Sequence, residues 1–305
     1  MSDAPSQEQL ESLGEEEVVR RLVAGLPMGK NVLVGAGDDC AVVDVGGDDL
    51  LLLKTDAVVA GVHFLPETEP ERVGWKAAAR VVSDFAAMGG SAHELMVTLA
   101  ASGNESMAWV EGLYRGLVKC AERYGASIVG GETVSLPDGG ATLISISGTG
   151  RVPRNGVVTR GSGRVDDDLW VTGRLGGSFE SERHLDFLPR AEEGKWLGKY
   201  AHAMMDLSDG LRRDLPRLAR ASGCGFVLEE ECLPLHDGCT VEQALGDGED
   251  MELLLAAPAG DWVAEFQRVF PTVGLTRIGR LTAEGEGDLG SGGWQHFNRK
   301  SKESK

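Results

Sequence analysis

Positive charge is scarce in this sequence of 305 residues: 30 Lys and Arg stand against 48 Asp and Glu, a formal net charge of −18. Without a basic stripe, nothing can displace counterions from a phosphate backbone, which excludes nucleic acid as a partner. Long apolar runs are missing as well; none approaches the roughly 20 residues a membrane-spanning helix needs. The acidic opening MSDAPSQEQLESLGEEE lacks the basic and apolar segments of a signal peptide. The five cysteines are odd in number and form no CxxC pair, which reads as reduced thiols rather than a disulfide framework. These absences predict a soluble, cytoplasmic protein with no membrane partner.

The usual phosphate-binding devices are absent too. GLPMGKN (Gly25 to Asn31) has only three residues between its glycines and no Ser or Thr after Lys30, so it is not a P-loop. GAGDD is too short for a dinucleotide fingerprint. If phosphates bind, Arg160 in VVTRGSG is the available guanidinium fork.

What is present alternates between strand and helix. EEEVVRRLVAGL puts Val18, Val19, Leu22 and Val23 on one helical face. CAVVDV and LLLLKTD read as strands of a hairpin across a Gly-Gly-Asp-Asp turn. A helix over ERVGWKAAARVVSDFAAMG stops at Gly89-Gly90, then come the strand ELMVTLAA, the helix SMAWVEGLYRGLVKCAERYG, a short buried strand ASIVGG and the strand ATLISISGTGRV. PRNGVVTRGSGRVDDD is rich in turn residues and marks the junction between domains 1–153 and 154–305. Beyond it lie the strand DLWVTG, the helix Leu211 to Ala221, the strands GFVLEE and ELLLAAP, a helix over Asp261 to Val269, and the strand TRIGRL. The class is α/β or α+β, with a disordered tail FNRKSKESK.

Acidic residues recur beside glycine at the ends of apolar elements: Asp38 and Asp39, Asp56, Asp84, Glu132, Asp206 and Asp209, Glu249 and Asp250. Each alone reads as a cap or turn residue, and Ser208 or Asp209 in MMDLSDGL would cap the helix that follows. Together they point to a shared cleft, where clustered carboxylates repel unless a divalent cation neutralises them. Mg²⁺ suits that role, with oxygen ligands and substrate phosphates completing its shell.

The motifs GAGDDCAVV, KTDAVVAGVHF, KAAARVVSDFAAMGG, IVGGET, VVTRGSG, DLWVTGRLGGS, MMDLSDGL, GDGEDMELLL and GGWQHF occur in that order. Through them the chain resembles the thiamine-monophosphate kinases. Their superfamily includes aminoimidazole ribonucleotide synthetase, selenophosphate synthetase and a hydrogenase-maturation dehydratase. The resemblance implies an aminoimidazole ribonucleotide synthetase-like architecture of two domains, the first forming a homodimer through a shared β-barrel. It also implies transfer of the γ-phosphoryl group of ATP to thiamine phosphate with several Mg²⁺ ions. Asp39, Thr55, Asp56, Asp84, Glu132, Asp206 and Asp209 match metal ligands; Gly131, Glu132, Arg160 and Ser208 match ATP contacts. His63, Glu249 and Trp294 match positions that hold thiamine phosphate, and Asp209 and Arg160 are the expected catalytic residues. Trp294 would stack on the cationic thiazolium; read from sequence alone it could equally cover the core.

Several positions depart from the family pattern. Lys54 stands where Ser or Thr is usual, so an ammonium could replace a metal there. Glu132 replaces Asp, Asp247 and Met251 replace Gly and Tyr, GGSFES replaces a Gly-Asp-Ser-Ala pattern, and the stretch between Ser178 and Met204 is short. An alternative is therefore a family member that binds nucleotide or thiamine phosphate without turnover. The retained Asp39, Asp56, Asp84, Asp206 and Asp209 favour an active kinase. Another enzyme of the superfamily is disfavoured, because no reactive Cys lies near either terminus.

Overall fold

The computed structural model of the chain describes residues 8–283, 287–290 and 292–297. The tail after Phe297, expected to be disordered, lies outside them. Two helices come first, α1 (Leu10–Leu13) and α2 (Glu15–Val23). The apolar stripe expected on α2 finds little cover: Val19 and Leu22 are exposed, and no residue of this helix is buried.

The first half builds β1 (Val32–Val34), β2 (Ala41–Val43), β3 (Asp49–Val59), α3 (Pro70–Ala87), β4 (Ser91–Ser102), α4 (Met107–Arg123), β5 (Ser127–Leu136) and β6 (Leu143–Pro153). The strands form one open sheet in the order β1-β2-β3-β6-β4-β5. β2 and β3 make the hairpin read from the sequence, with Ala41 opposite Leu53. Only β4 and β5 run parallel, joined through α4 as a parallel pair requires.

One face of this sheet is covered by α3, whose Ala and Val side chains are buried nearly all the way round. The reason is that α3 has a sheet on one side and α4 on another. Those two helices cross so closely that a Cβ on Gly74 would stand 1.9 Å from the Leu113 carbonyl oxygen, and one on Gly116 1.9 Å from that of Glu71. ASIVGG does not make a short buried strand. Its residues open β5, a ten-residue edge strand that is mostly exposed. Its apolar residues serve pairing rather than burial, because among the described residues no helix covers the sheet's other face.

The second half holds β7 (Asp168–Thr172), α5 (Arg183–Asp186), α6 (Ala191–Leu197), β8 (Ala203–Asp206), α7 (Leu211–Ala221), β9 (Gly225–Leu228), α8 (Val241–Gly246), β10 (Leu253–Ala257), α9 (Trp262–Val269) and β11 (Leu275–Thr282). Its five strands form an all-antiparallel sheet ordered β8-β10-β7-β11-β9. The architecture is therefore two open mixed α/β layers, and neither sheet closes into a barrel among the described residues. The C-terminal end of α3 joins the halves. Ala87 shares a core cluster with Trp170, Leu197, Met204 and Leu255. A Cβ on Gly194 of α6 would come within 2.2 Å of the Ala86 carbonyl oxygen.

Candidate active site

Four elements deliver polar side chains to the seam between the halves. On β3, alternation sends Lys54 and Asp56 toward α3 and Thr55 to the open face. On α3, Lys76, Arg80, Ser83 and Asp84 fall on one helical stripe. The loop before β2 supplies Asp38 and Asp39, and β8 ends at Asp206. Asp56 sits three residues inside β3, not at its end.

Carboxylate oxygens of Asp39, Asp84 and Asp206 lie within 4.8 Å of one another, and all three residues are buried. Ser83 Oγ donates to Asp206 Oδ2 at 2.7 Å, and Lys54 Nζ donates to Asp84 Oδ1 at 2.6 Å. Burial, followed by the charge of Asp39, raises Asp206 to about 6. Burial also raises Asp39, with Arg160 opposing and Asp38 adding to it. Burial alone would lower Lys54, but Asp84 and Asp56 outweigh it and keep the ammonium charged. Asp39 Oδ2 is buried with no hydrogen-bond partner. A buried carboxylate oxygen left bare beside two further carboxylates fits a hard divalent cation such as Mg²⁺.

Beside the cluster lies a cavity of about 530 Å³, with His63, Phe179, Glu180, Asp247, Glu249 and Trp294 in its wall. Backbone bonds lock the loop carrying Glu249 onto the Ser208 loop: Glu249 N–H donates to Ser208 O and Met251 N–H to Leu207 O. Glu249 and Met251 adopt left-handed φ angles of 54° and 52°, unusual for these residue types. Glu249 is held there by Lys76 Nζ at 2.8 Å and Arg80 Nη1 at 3.0 Å. Arg80 Nε also donates to Asp56 Oδ2 at 2.7 Å, so one guanidinium joins the acidic cluster to the cavity wall.

Residues 37–152 match the family model for the N-terminal domain of AIR synthase related protein, and residues 158–291 that for its C-terminal domain. The thiamine-monophosphate kinase of Aquifex aeolicus (strain VF5) is 34% identical, with 86% of this chain and 92% of the relative covered. The chain belongs to the thiamine-monophosphate kinases of the AIR synthase-related family. That of Escherichia coli (strain K12) is 31% identical over 84% of this chain and 86% of its own length. A solved structure, AaThiL complexed with AMPPCP and TMP, superposes with a TM-score of 0.82 at 31% identity, covering 95% of this chain and 99% of the other.

Most of the residues matched to this kinase family fall into three groups in space. His63, Glu249 and Trp294 come together around the cavity. Asp39, Asp84 and Asp206 form the cluster, with Asp56 joined to it through Arg80 and Lys54. Thr55, Gly131 and Glu132 are exposed on the first sheet, away from both. Thr55 Oγ1 faces Ser147 Oγ at 3.1 Å, and Glu132 lies inside β5 opposite Thr98. Arg160 is turned inward, its guanidinium bonded to Asp39 and 3.5 Å from Asp38. Neither Ser208 nor Asp209 caps α7: its N-cap is Gly210, and Asp209 Oδ2 is bonded to Arg217 at 2.5 Å.

Sequence reasoning missed Lys76, Arg80, Ser83 and His184. Lys76 is fully buried and donates to the His63 carbonyl at 2.6 Å, with His184 Nδ1 also 2.6 Å away. The His184 ring in turn stacks on Phe179 of the cavity wall, at 4.7 Å between centroids. A lysine and an arginine four residues apart inside an otherwise Ala- and Val-rich helix were the available signal.

His63 Nδ1 accepts the Val59 N–H at 3.1 Å, which leaves Nε2 to carry the proton. Burial, then the Arg80 charge, lowers its pKa to about 4. The unfolded chain takes up this proton near the ordinary value of 6.5 and the folded chain only near 4, so this contribution to stability is whole above about 6.5 and declines as pH falls toward 4. NMR titration of His63 should give a midpoint near 4, and His63→Gln should flatten that part of the stability–pH curve. A midpoint near 6.5 would contradict the buried neutral assignment.

Proposed function

We propose that the chain transfers the γ-phosphoryl group of ATP to the phosphate of thiamine phosphate, giving thiamine diphosphate and ADP. One observation carries the reading: Arg80 physically couples a carboxylate cluster fit for cations to an aromatic, acidic cavity fit for a cationic ring. Glu180 and Asp247 add negative charge to the cavity wall, and Trp294 and Phe179 add π-faces, which suits a thiazolium. An oxygen of the thiamine phosphate attacks the γ-phosphorus as the bond to the β-bridging oxygen breaks, and ADP leaves with that electron pair. No covalent enzyme intermediate is required, because positioning and charge neutralisation supply most of the catalysis.

Asp39, Asp56, Asp84 and Asp206 would hold Mg²⁺, which when bound neutralises phosphate charge. Glu249, fixed by Lys76 and Arg80, shapes the acceptor side of the cavity. Arg160 swings from Asp39 to a phosphate when nucleotide arrives, with Ser208 and Asp209 flanking the same phosphates. Purified protein incubated with ATP, Mg²⁺ and thiamine phosphate should yield thiamine diphosphate and ADP. Tight binding of both substrates without product would replace this reading with a non-turnover one.

The same proposal includes a homodimer. Leu53, Met96 and Val134 are 40%, 50% and 46% exposed on the face of the first sheet that also bears Thr55 and Glu132. Glu132 stands in register with Thr98, Ser145 and Ala57, three strand spacings or about 14 Å from β3. A second copy packed on this face would cover the apolar side chains and carry Gly131 and Glu132 toward a site they cannot reach in their own chain. Light scattering at micromolar concentration should give twice the 32.4 kDa chain mass; a monomer would contradict the dimer.

A further inference from the structure

The acidic cluster already contains cations of its own. Lys54 Nζ lies 2.6 Å from Asp84 Oδ1, and Arg80 Nε lies 2.7 Å from Asp56 Oδ2. Their side chains are only 23% and 13% exposed, and they come from two facing elements, β3 and α3. Neither geometry is that of a surface ion pair. Both bonds occupy oxygens of carboxylates read above as holding Mg²⁺, one in the cluster and one beside it, and the two side chains together carry the charge of one divalent cation. Asp206, by contrast, has a hydroxyl partner, and Asp39 bonds the Arg160 guanidinium through one oxygen and keeps the other bare. The cluster is therefore half filled by covalently tethered charge and half open.

We propose that Lys54 and Arg80 together take the place of one divalent ion. The metal-free fold is then held together without added cation, and nucleotide is bound with one ion fewer than the same carboxylates would otherwise recruit. The inference rests on the reading of the cluster as a metal site. It adds a consequence for affinity: each tethered charge repels any ion entering the open half, since unit charges a few ångströms apart in a partly buried site interact by more than a tenfold change in binding.

The experiment compares the full chain with Lys54→Ser, Arg80→Gln and the double variant. Bound Mn²⁺ is counted by electron paramagnetic resonance in the presence of a non-hydrolysable ATP analogue, and melting is followed with EDTA and with Mg²⁺. The double variant should bind one more Mn²⁺ per chain, and each single variant should bind its ions about tenfold more tightly. The parent should melt at nearly the same temperature with EDTA as with Mg²⁺, whereas the double variant should fall in EDTA and recover with Mg²⁺. An unchanged Mn²⁺ count in a folded double variant overturns the inference while leaving the metal site standing. If the double variant folds under neither condition, unchanged Mn²⁺ affinity in both single variants overturns it. If no protein of the set, the parent included, binds Mn²⁺, the metal-site reading falls and takes this inference with it.

Discussion

Asp206→Asn should lose on the order of a hundred- to a thousandfold in turnover while the metal-free protein becomes more stable at neutral pH. Asp206 is buried beside Asp39 and Asp84, and its carboxyl is raised to about 6. The folded chain thus binds this proton more tightly than the unfolded chain does. The stabilisation that proton brings is present at low pH and lost as pH rises from about 4 through about 6. Above that window the wild-type fold carries an ionised carboxylate it disfavours by roughly 3 kcal/mol, and an amide removes that penalty. Asn also keeps an oxygen to accept the Ser83 hydroxyl, so the local geometry survives. Metal-free melting temperatures should separate at pH 7.5 and converge near pH 4. If Asp206 served only as the acceptor for Ser83, the Asn variant would turn over normally, and that result would remove it from the metal site.

The second large effect belongs to Glu249→Gln. The Glu249 carboxylate is the shared partner of Lys76 and Arg80, and His184 Nδ1 lies 3.2 Å from it. Burial works against its charge, but Lys76, the His184 hydrogen bond and Arg80 hold its pKa well below the usual carboxylate range. Its loss leaves a buried ammonium and guanidinium facing an amide, a change that costs about 3–5 kcal/mol in other buried pairs. Melting should fall by several degrees, and KM for thiamine phosphate should rise about tenfold or more because the cavity wall loses its anchor. Burial already lowers Lys76 to about 8 against the pull of Glu249, so the variant's lysine should titrate lower still. Comparing Glu249→Gly with Glu249→Gln separates charge from backbone: both remove the carboxylate, but only glycine relieves the left-handed φ of 54°. A glycine variant as stable as the parent would show that the strain offsets the whole contribution of the ion network at this position.

Local pattern was enough for much of the fold. The β2–β3 hairpin, α3 with its stop before Gly89, α4 and the strands β7, β9, β10 and β11 of the second half all follow from periodicity and turn residues acting over a few positions, whereas β8 and the antiparallel pairing of that sheet do not. Where the expectation failed, burial was the missing quantity. IVGG is apolar enough for a core strand, yet whether a strand lies in the middle or at the edge of a sheet depends on partners far along the chain. Ser208 and Asp209 likewise look like caps, but the cap passed to Gly210 and the Asp209 carboxylate to Arg217.

By itself the sequence picked out the candidate carboxylates, because acidic residues beside glycine in ordered motifs are written directly in the chain. It determined the family as well, since nine short motifs in a fixed order are a one-dimensional signal. Only the tertiary structure decided which charges neutralise which. Lys54 meets Asp84 across 30 residues, Arg160 meets Asp39 across 121, and Arg80 meets Glu249 across 169. It also decided that Thr55 and Glu132 face away from the cluster that Asp39, Asp84 and Asp206 form. The physical reason is that electrostatic interactions depend on distance and burial, and neither exists along the chain until sheet register and the crossing of α3 have fixed them.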